Sequence, residues 1–397
     1  MLTLDPVSFE NDPWEGEFPF GKRWNTADNL IVSFLAKLSQ SILSNKEARQ
    51  YPDLITFGFF CRKSNIKLET QKISDLQFSV GWGTLLHVTP SNIPINFAYS
   101  FVMGLLSGNS NIVRLPSRLY PQIVIFLKLL TDVLSNDDFL ELSYSNKFVQ
   151  TERDSKKLDG LVEKCDGLAV WGSDETIQRF KQLSKKVRGV EVYFPSRSSS
   201  VVLSAQHYLH LKSDQKNNIA YSFYNDTFLV DQNACSSPTN VFWLGSQSEI
   251  TKAKKDFWGR LSHELKDKYS LDPVARIDKI LDVMNICKKE KKSLSVLEWR
   301  PDILTINDSL SAGYKLRFGT FAEFNIKSLD QISGHLRDNE QTITTLGVEP
   351  KELFKELAKD HFSIVDRIVP IGKALDIGLH WDGKKMMEIF SRKVEVR

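Results

Sequence analysis

The fold class is decided by one stretch of the sequence, GTLLHVTPSNIP at residues 83–94, followed by INFAYSFVMGLLSGN at residues 95–109. The apolar run that ends near His87 predicts a strand, and the two prolines after it predict a stiff loop. The second segment has the apolar pattern of a helix and ends in a Gly-Asn stop, and Asn111 to Leu115 predicts the next strand. A strand, a crossover helix and a second strand make a βαβ unit, which is typical of a parallel α/β sheet.

The same alternation continues toward the C-terminus. Further elements are predicted as a helix from Pro121 to Leu134, a strand from Gly167 to Trp171, a helix from Asp174 to about Lys186, and strands from Gly189 to Phe194 and from Ser199 to Leu203. A helical pattern from Ala27 to Leu43 precedes the sheet and predicts a cap that packs against it. Such sheets bind nucleotides at the carboxyl ends of their strands.

The pattern restarts near residue 205, which predicts a second α/β domain. We therefore expect four segments: an N-terminal helical cap at 1–76 that is part of the cofactor domain, a dinucleotide-binding domain at 77–204, a catalytic domain at 205–360, and a C-terminal segment at 361–397 that returns to the cofactor domain or to an oligomer interface.

Composition excludes several classes of function. The chain has 397 residues with 52 basic and 49 acidic side chains that are interspersed, so nucleic acid is not an expected partner. The longest apolar stretch, Ile95 to Leu106, is too short for a membrane span. Four scattered cysteines show neither a disulfide framework nor a metal pattern, and the start of the chain does not resemble a secretory signal. We expect a cytoplasmic protein with no metal site.

The loop Thr89 to Pro94 places one amide side chain, Asn92, between two prolines. A backbone fixed in this way can aim the Asn92 NH2 group at one point in space. The alternative is an Asx turn that only starts the helix. The spacing of the residues leaves both interpretations open.

A cysteine stands among small polar residues in the segment Asp231 to Pro238, directly before a predicted strand. This thiol, Cys235, is expected to be accessible, so both a nucleophile and an unreactive thiol are open interpretations. The other three cysteines have apolar or helical neighbours and are predicted to be buried packing residues: Cys61, Cys165 and Cys287.

Three motifs in the same order resemble the LuxC-like acyl-CoA reductase family of the aldehyde dehydrogenase superfamily. They are the run from Gly83 through Ser117, the segment Asp231-Gln232 through Cys235-Ser236-Ser237-Pro238, and Trp381-Asp382-Gly383. The resemblance covers about residues 78–397. It implies an aldehyde dehydrogenase-like α/β fold, with a Rossmann-type cofactor domain, an α/β catalytic domain that bears the cysteine, and a homo-oligomer.

The resemblance also implies catalytic roles. Cys235 is the nucleophile that takes the acyl group from a thioester, and Asn92 is the oxyanion-hole amide that acts with the N–H of Cys235. A reduced nicotinamide then supplies hydride and an aldehyde is released. His87 is a candidate proton donor, with a structural, hydrogen-bonded histidine as the alternative.

Cofactor contacts follow from the same resemblance. Gly172-Ser173 is similar to the turn that lies against the dinucleotide phosphates, with ordinary helix capping as the alternative. Arg114, with Pro116 and Ser117 after it, occupies the position near the adenosine ribose, and Phe318 belongs to the remnant of a Glu-x-Phe motif. No Asp or Glu stands between Ser91 and Thr131, so the usual ribose carboxylate is missing and NADPH is expected.

Two departures from the superfamily narrow the predicted reaction. The stretch from Val192 to Ser198 has no acid where aldehyde-oxidising members carry the base that activates water, which favours a reductase. Leu316 stands where the ribose-binding Glu would be, so the residue that binds the ribose is an open question. The expected substrate is a fatty acyl-CoA or an acyl-protein donor, with an acyl-protein synthetase as a partner. The alternatives are a CoA-acylating aldehyde dehydrogenase that uses NAD and a silent homologue that only binds a partner.

Overall fold

The structure is a computed structural model that describes residues 21–73, 76–90, 93–116, 120–290, 296–300, 302–307, 316–336, 338–359 and 365–396. The chain divides into two compact units. The first comprises Met1–Pro195 and Ile377–Arg397, and the second comprises Ser196–Asp376. The boundaries drawn from the sequence at 204/205 and 360/361 stay predictions.

The first unit alternates helices with short strands. Its helices up to Pro195 are α1 (Asn29–Ser44), α2 (Pro52–Phe60), α3 (Lys63–Gln71), α4 (Asn96–Leu106), α5 (Pro121–Leu134), α6 (Leu140–Ser145), α7 (Lys156–Lys164) and α8 (Asp174–Gln182). The strands are β1 (Ser79–Gly81), β2 (Thr84–Val88), β3 (Ser110–Arg114), β4 (Asn146–Val149), β5 (Gly167–Trp171) and β6 (Val190–Phe194).

Five of these strands form a parallel sheet in the order β4-β3-β2-β5-β6. The chain moves outward from β2 to β4 and then returns to β5 on the other side of β2. The strand order therefore reverses between β2 and β5, which is where open α/β sheets of the Rossmann type bind their ligands.

Burial explains why these segments form their elements. Every residue of β2, β3, β5 and α4 is buried, as expected for central parallel strands and a helix enclosed in the core. The apolar face of α1 is buried in the same cluster as α4 and α5, where it contributes Ile31, Phe34, Leu35, Leu38 and Ile42. The helix predicted between Ala27 and Leu43 thus forms and packs as expected.

The second unit is built around a larger sheet. Its helices are α9 (Ala205–His210), α10 (Ser213–Thr227), α11 (Gln247–Lys268), α12 (Pro273–Glu290) and α13 (Pro350–Lys359). The strands are β7 (Ser198–Ser204), β8 (Asn240–Leu244), β9 (Val296–Trp299), β10 (Leu304–Asn307), β11 (Thr320–Ile326), β12 (Glu340–Leu346) and β13 (Arg367–Pro370). Their order is β13-β12-β7-β8-β11-β10-β9, parallel except for the pair β9 and β10.

Aromatic side chains fill both faces of this sheet. On one face Trp243 packs with Phe257 of α11, and Phe223 of α10 lies against Trp258. The opposite face carries Phe242 in a cluster with residues of α12 and α13. Large aromatic rings of this kind contribute much of the apolar area that stabilises a core.

The strand predicted at Ser199 to Leu203 forms, but not beside the strand that ends at Phe194. It is β7, and it pairs with β8 and β12 in the second sheet. Pro195 follows β6 directly, and a proline cannot donate the next hydrogen bond of a strand ladder. The strand β6 therefore ends at Phe194, and the chain continues into the second unit.

The last residues belong to the first unit. They form β14 (His380–Trp381), β15 (Lys384–Lys385), α14 (Met386–Ile389) and β16 (Ser391–Lys393), and β16 pairs antiparallel with β1. The Trp381-Asp382-Gly383 motif is a hairpin turn, because Asp382 and Gly383 have φ values of 47° and 68° between two antiparallel strands. Asp-Gly is a preferred pair for such a two-residue turn.

Candidate active site

Three predicted site segments start at the carboxyl edge of the first sheet: the loop assigned to Asn92 after β2, and the two cofactor segments after β3 and β5. The register pairs Val88 with Arg114 on one side and with Val170 on the other, so the segments after β2, β3 and β5 leave the sheet side by side. This is the switch point between β2 and β5. Asn92 and Ser117, which the sequence assigns to this edge, lie outside the described residues.

Arg114 is fully buried at the end of β3. Its Nε donates to the Thr151 carbonyl at 2.9 Å, and its own carbonyl accepts a hydrogen bond from the Thr89 hydroxyl at 2.7 Å. Burial lowers the pKa of the guanidinium to about 10, so it stays charged at neutral pH. The side chain thus places a fixed positive charge beside the loop that starts at Thr89, and buried Pro116 follows two residues later.

The Gly172-Ser173 turn starts α8 in the way expected of a helix cap. The Ser173 hydroxyl accepts a hydrogen bond from the Thr176 N–H at 3.3 Å. Among the described residues, the N–H groups of Asp174 and Glu175 have no acceptor, so two backbone donors remain available at the helix start. The carboxylates of the same two residues oppose a bound anion.

His87 sits in a closed network inside the first unit. Its Nδ1 lies 2.7 Å from the Ser100 hydroxyl and its Nε2 lies 2.9 Å from Asn111 Oδ1. The Asn111 amide nitrogen donates to Asn146 Oδ1, so the Asn111 oxygen faces the imidazole ring. Because that oxygen can only accept, the ring proton is assigned to His87 Nε2. Burial lowers the pKa of His87 to about 4. This geometry matches the structural interpretation of His87 rather than a proton donor.

Cys235 lies in the turn before β8, at the amino edge of the second sheet. Its thiol is half-buried. The Ser199 hydroxyl donates to the Cys235 carbonyl at 2.7 Å, and Ser199 Oγ itself accepts from the Thr342 N–H at 3.1 Å. Among the described residues the Cys235 N–H has no acceptor. The turn is thus anchored through its carbonyl and presents both a thiol and a free N–H.

The other cysteines differ from Cys235 in burial. Cys61 and Cys165 are buried, as predicted, and burial raises the pKa of both thiols, that of Cys165 to about 12. Cys287 is half-buried on α12, so the prediction that it is a buried packing residue is wrong. An amphipathic helix exposes part of each side chain at the border of its two faces, which the local sequence did not reveal.

Phe318 lies in the turn before β11. This turn is hydrogen-bonded to the turn at residues 231–238 that holds Cys235, which we call the cysteine turn. The Phe318 N–H donates to the Asp231 carbonyl at 3.2 Å. The amide of Gln232 bridges the same two turns: its oxygen accepts from the N–H groups of Gly319 (3.0 Å) and Thr320 (3.2 Å). The ring of Phe318 is buried and carries the Arg317 guanidinium 4.8 Å from its centre.

Left-handed backbone concentrates in these two turns. Asp231, Gln232 and Phe318 have φ values of 51°, 57° and 58°. Such values cost a residue other than glycine of the order of 1 kcal/mol and persist only where the surroundings hold them. One restraint is the Tyr269 hydroxyl, which donates to Asp231 Oδ1 at 2.8 Å.

Lys279 of α12 is a residue that the sequence did not single out. Its ammonium donates to the carbonyls of Asp302 (3.0 Å) and Gly319 (3.4 Å), and burial lowers its pKa to about 8. It therefore supports the turn that carries Phe318. A lysine inside an apolar helix pattern was the available signal, but only the fold shows that it points inward.

Within the part of the chain that the structure describes, no group of three His, Cys, Asp or Glu residues gathers in a way that could hold a metal ion. In the same residues, no helix combines the length and the apolar composition needed to cross a membrane.

A family model described as acyl-CoA reductase (LuxC) matches residues 68–301. The long-chain acyl-protein thioester reductase of Vibrio harveyi is 23% identical over 232 residues, which is 56% of this chain and 46% of that protein. The match thus spans about half the length of that relative.

Solved structures of aldehyde dehydrogenases share the fold. A lactaldehyde dehydrogenase matches with a TM-score of 0.63 and 12% identity, over 92% of this chain and 86% of the other. Aldehyde dehydrogenase 21 from Physcomitrella patens, solved with succinate, matches with a TM-score of 0.62 and 12% identity, over 91% and 83%. These matches confirm the predicted aldehyde dehydrogenase-like α/β fold.

Proposed function

Because the chain belongs to the LuxC acyl-CoA reductase family, whose model covers more than half of it, we propose that it reduces a fatty acyl thioester to the aldehyde with NADPH, through an acyl group on Cys235. The observation that carries the proposal is the Cys235 turn. It combines a half-buried thiol with an N–H that has no acceptor among the described residues.

The first step is acyl transfer to the enzyme. The Cys235 sulfur attacks the thioester carbonyl carbon, the bond from that carbon to the CoA sulfur breaks, and the CoA thiolate leaves and takes a proton from water. The Cys235 N–H is available to stabilise the oxyanion that forms during the attack, and Asn92 is the second donor in this proposal. Loss of one such donor commonly lowers the rate by about 10²–10³-fold.

The second step returns the sulfur to its starting state. A bound reduced nicotinamide supplies the hydride that the acyl carbon accepts. The Cys235 sulfur then carries a thiohemiacetal, and its collapse releases the aldehyde and the free thiolate. The oxyanion donors of the first step also hold the oxygen of the thiohemiacetal in place.

A dinucleotide fits the carboxyl edge of the first sheet. The strand order reverses between β2 and β5, and the N–H groups of Asp174 and Glu175 are available at the start of α8. Gly172 and Ser173 would hold the phosphates there. Phe318, as part of the Glu-x-Phe remnant, is the further cofactor-binding residue in this proposal.

NADPH is proposed over NADH from the charges near β3. The absence of acids between Ser91 and Thr131 removes the carboxylate that usually binds the ribose 2′-hydroxyl, and Arg114 places a positive charge at the end of β3. A 2′-phosphate is an anion that an arginine environment favours. Pro116 and Ser117 continue the chain from this position.

The acyl donor is proposed as acyl-CoA, with an acyl-protein as the second source. The Vibrio harveyi relative is named for an acyl-protein thioester, which favours a protein that hands over the acyl group, such as an acyl-protein synthetase. Both donors present the same thioester carbonyl to Cys235, so one nucleophile serves either source.

Acyl transfer is tested with radiolabelled fatty acyl-CoA in the absence of cofactor. We expect the wild-type protein to retain label that hydroxylamine releases, as a thioester does. The variant Cys235→Ser should lose aldehyde formation by more than about 10³-fold, as expected for removal of a nucleophile.

Cys287→Ser is the matched control, because it removes the other half-buried thiol of the second unit. It should retain both label and turnover. Hydroxylamine-sensitive label that persists in Cys235→Ser would show that another residue is the nucleophile, and a wild-type protein without label would overturn the proposed function.

A further inference from the structure

The side chain of Gln232 joins the cysteine turn to the turn that carries Phe318. It is only 1% exposed. Its amide nitrogen donates to the Pro238 carbonyl at 2.8 Å and to the Thr320 carbonyl at 3.1 Å. With the two N–H groups that its oxygen accepts, one side chain makes four hydrogen bonds across two turns that are 88 residues apart.

This set of bonds needs a primary amide of the length of glutamine. A glutamine has two N–H donors and an oxygen with two acceptor sites, and all four are used here. A carboxylate would place oxygen against the carbonyls of Pro238 and Thr320, and a methionine would remove all four hydrogen bonds between this side chain and the backbone.

The backbone of Gln232 supports a role beyond packing. Among the described residues six other than glycine have a left-handed φ, and three of them are in these two turns: Asp231, Gln232 and Phe318. Strained backbone persists where neighbours hold it, and it concentrates at functional sites. The amide of Gln232 is one of the groups that hold both strained turns together.

We propose that Gln232 is a positioning residue that holds the acyl group on Cys235 in register with the Phe318 turn for hydride transfer. This inference rests on the proposed function. Of the two turns that Gln232 joins, acylation uses only the cysteine turn, whereas reduction also uses the turn proposed to contact the cofactor. Loss of the bridge should therefore slow reduction far more than acylation, because a displacement of about 1 Å can cost about 10²-fold in rate.

The test measures the two steps separately in Gln232→Met. Acylation is followed as label incorporation from radiolabelled acyl-CoA, and reduction as single-turnover loss of NADPH absorbance after acylation. We expect reduction to fall about 10²-fold and acylation to change less than about threefold. Gln215→Met is the matched control, because Gln215 accepts a backbone bond from Lys212 N–H in the same unit, and both rates should stay unchanged.

A second variant, Gln232→Glu, adds a measurement, the pH dependence of reduction, that would not change if Gln232 were only a structural residue. The protonated carboxyl can donate one hydrogen bond to a carbonyl, whereas the ionised form can donate none. Reduction by this variant, relative to wild type at each pH, should therefore rise as the pH falls. This measurement also decides the matter if Gln232→Met does not fold.

If the rates of acylation and reduction fall equally in Gln232→Met, or if its rate of reduction is unchanged, the positioning role is overturned while the proposed function stays intact. A flat pH profile for Gln232→Glu would count against it in the same way. A wild-type protein that is neither acylated nor able to oxidise NADPH would overturn the proposed function, and the positioning role with it.

Discussion

The two sheets carry their candidate chemistry at different ends of their strands. In the first unit the loop assigned to Asn92 follows β2 and the predicted cofactor segments follow β3 and β5, at the carboxyl edge. In the second unit the Cys235 turn precedes β8 and the Phe318 turn precedes β11, at the amino edge. Both edges keep backbone N–H groups without an acceptor among the described residues, those of Asp174 and Glu175 at the carboxyl edge and that of Cys235 at the amino edge.

This difference teaches how each edge is stabilised. The carboxyl edge is held by buried polar side chains that bond to backbone or to one another, and its described residues 89–90, 115–116 and 172–173 include none with a left-handed φ. The amino edge contains backbone in left-handed conformations, which is costly unless neighbours such as the Gln232 amide fix it. Substitutions at the second edge should therefore act through strain and geometry, and those at the first through lost bonds and charge.

The largest expected effect is on stability, from Gly319→Ala at the amino edge. Gly319 has a φ of 74°, and a Cβ there would stand 2.1 Å from the Asp302 carbonyl oxygen and 2.7 Å from the Phe228 ring. We expect the free energy of unfolding to fall by about 3 kcal/mol or more, because strain and a backbone clash add.

Gly334→Ala is the control for this change, because a Cβ at Gly334 meets nothing within 4 Å. Its free energy of unfolding should change by less than about 0.5 kcal/mol in the same urea titration. Similar losses in the two variants would show that the Phe318 turn is not under the constraint described.

At the carboxyl edge, Arg114→Met tests the charge proposed to favour NADPH. Loss of a charge-assisted contact should lower kcat/KM for NADPH about tenfold relative to NADH, and loss of the bond to the Thr151 carbonyl should lower the unfolding free energy by about 2 kcal/mol. The ratio of the two kcat/KM values separates the roles, because lost stability alone leaves that ratio unchanged.

Arg179→Met serves as the control, since Arg179 pairs with Asp159 and is proposed to contact no cofactor. It should leave the cofactor preference as it is in the wild type. An Arg114→Met protein with the wild-type ratio would limit Arg114 to the structural bonds.

The next effect comes from His87, whose pKa is lowered by burial to about 4. The unfolded chain binds this proton near the ordinary pKa of about 6.5, so the folded state loses stability as the pH falls below that value. Between about pH 7.5 and about pH 5.5 the loss should be about 1.3 kcal/mol. In urea titrations, the unfolding free energy of His87→Gln should lack this part of the pH dependence. Equal slopes of unfolding free energy against pH in the variant and the wild type would contradict a neutral, buried His87.

The sequence predicted local elements well and distant pairings poorly. The helix from Pro121 to Leu134 was predicted at its observed bounds, because apolar spacing and an N-terminal proline are local signals. The strand at 199–203 was predicted too. Its partners in β12 were not, because they are about 140 residues away along the chain and no local pattern identifies them. Likewise the sequence placed Cys235 in a polar turn, whereas the bridge from Gln232 to Thr320 depends on the folded sheet.

The smallest expected effect is on the rate of acylation, and it comes from comparing serines at the two ends of strand β7. Ser199, near its amino end, donates to the Cys235 carbonyl, whereas Ser204 at its carboxyl end accepts from the His207 N–H as a helix cap. Each serine-to-alanine change should cost about 1 kcal/mol of stability. Only Ser199→Ala should slow acylation by acyl-CoA, by about fivefold, because one lost hydrogen bond of that energy frees the turn that holds the thiol. An equal slowing in Ser204→Ala would show that acylation follows the stability of the unit and not the anchoring of the Cys235 carbonyl at its amino edge.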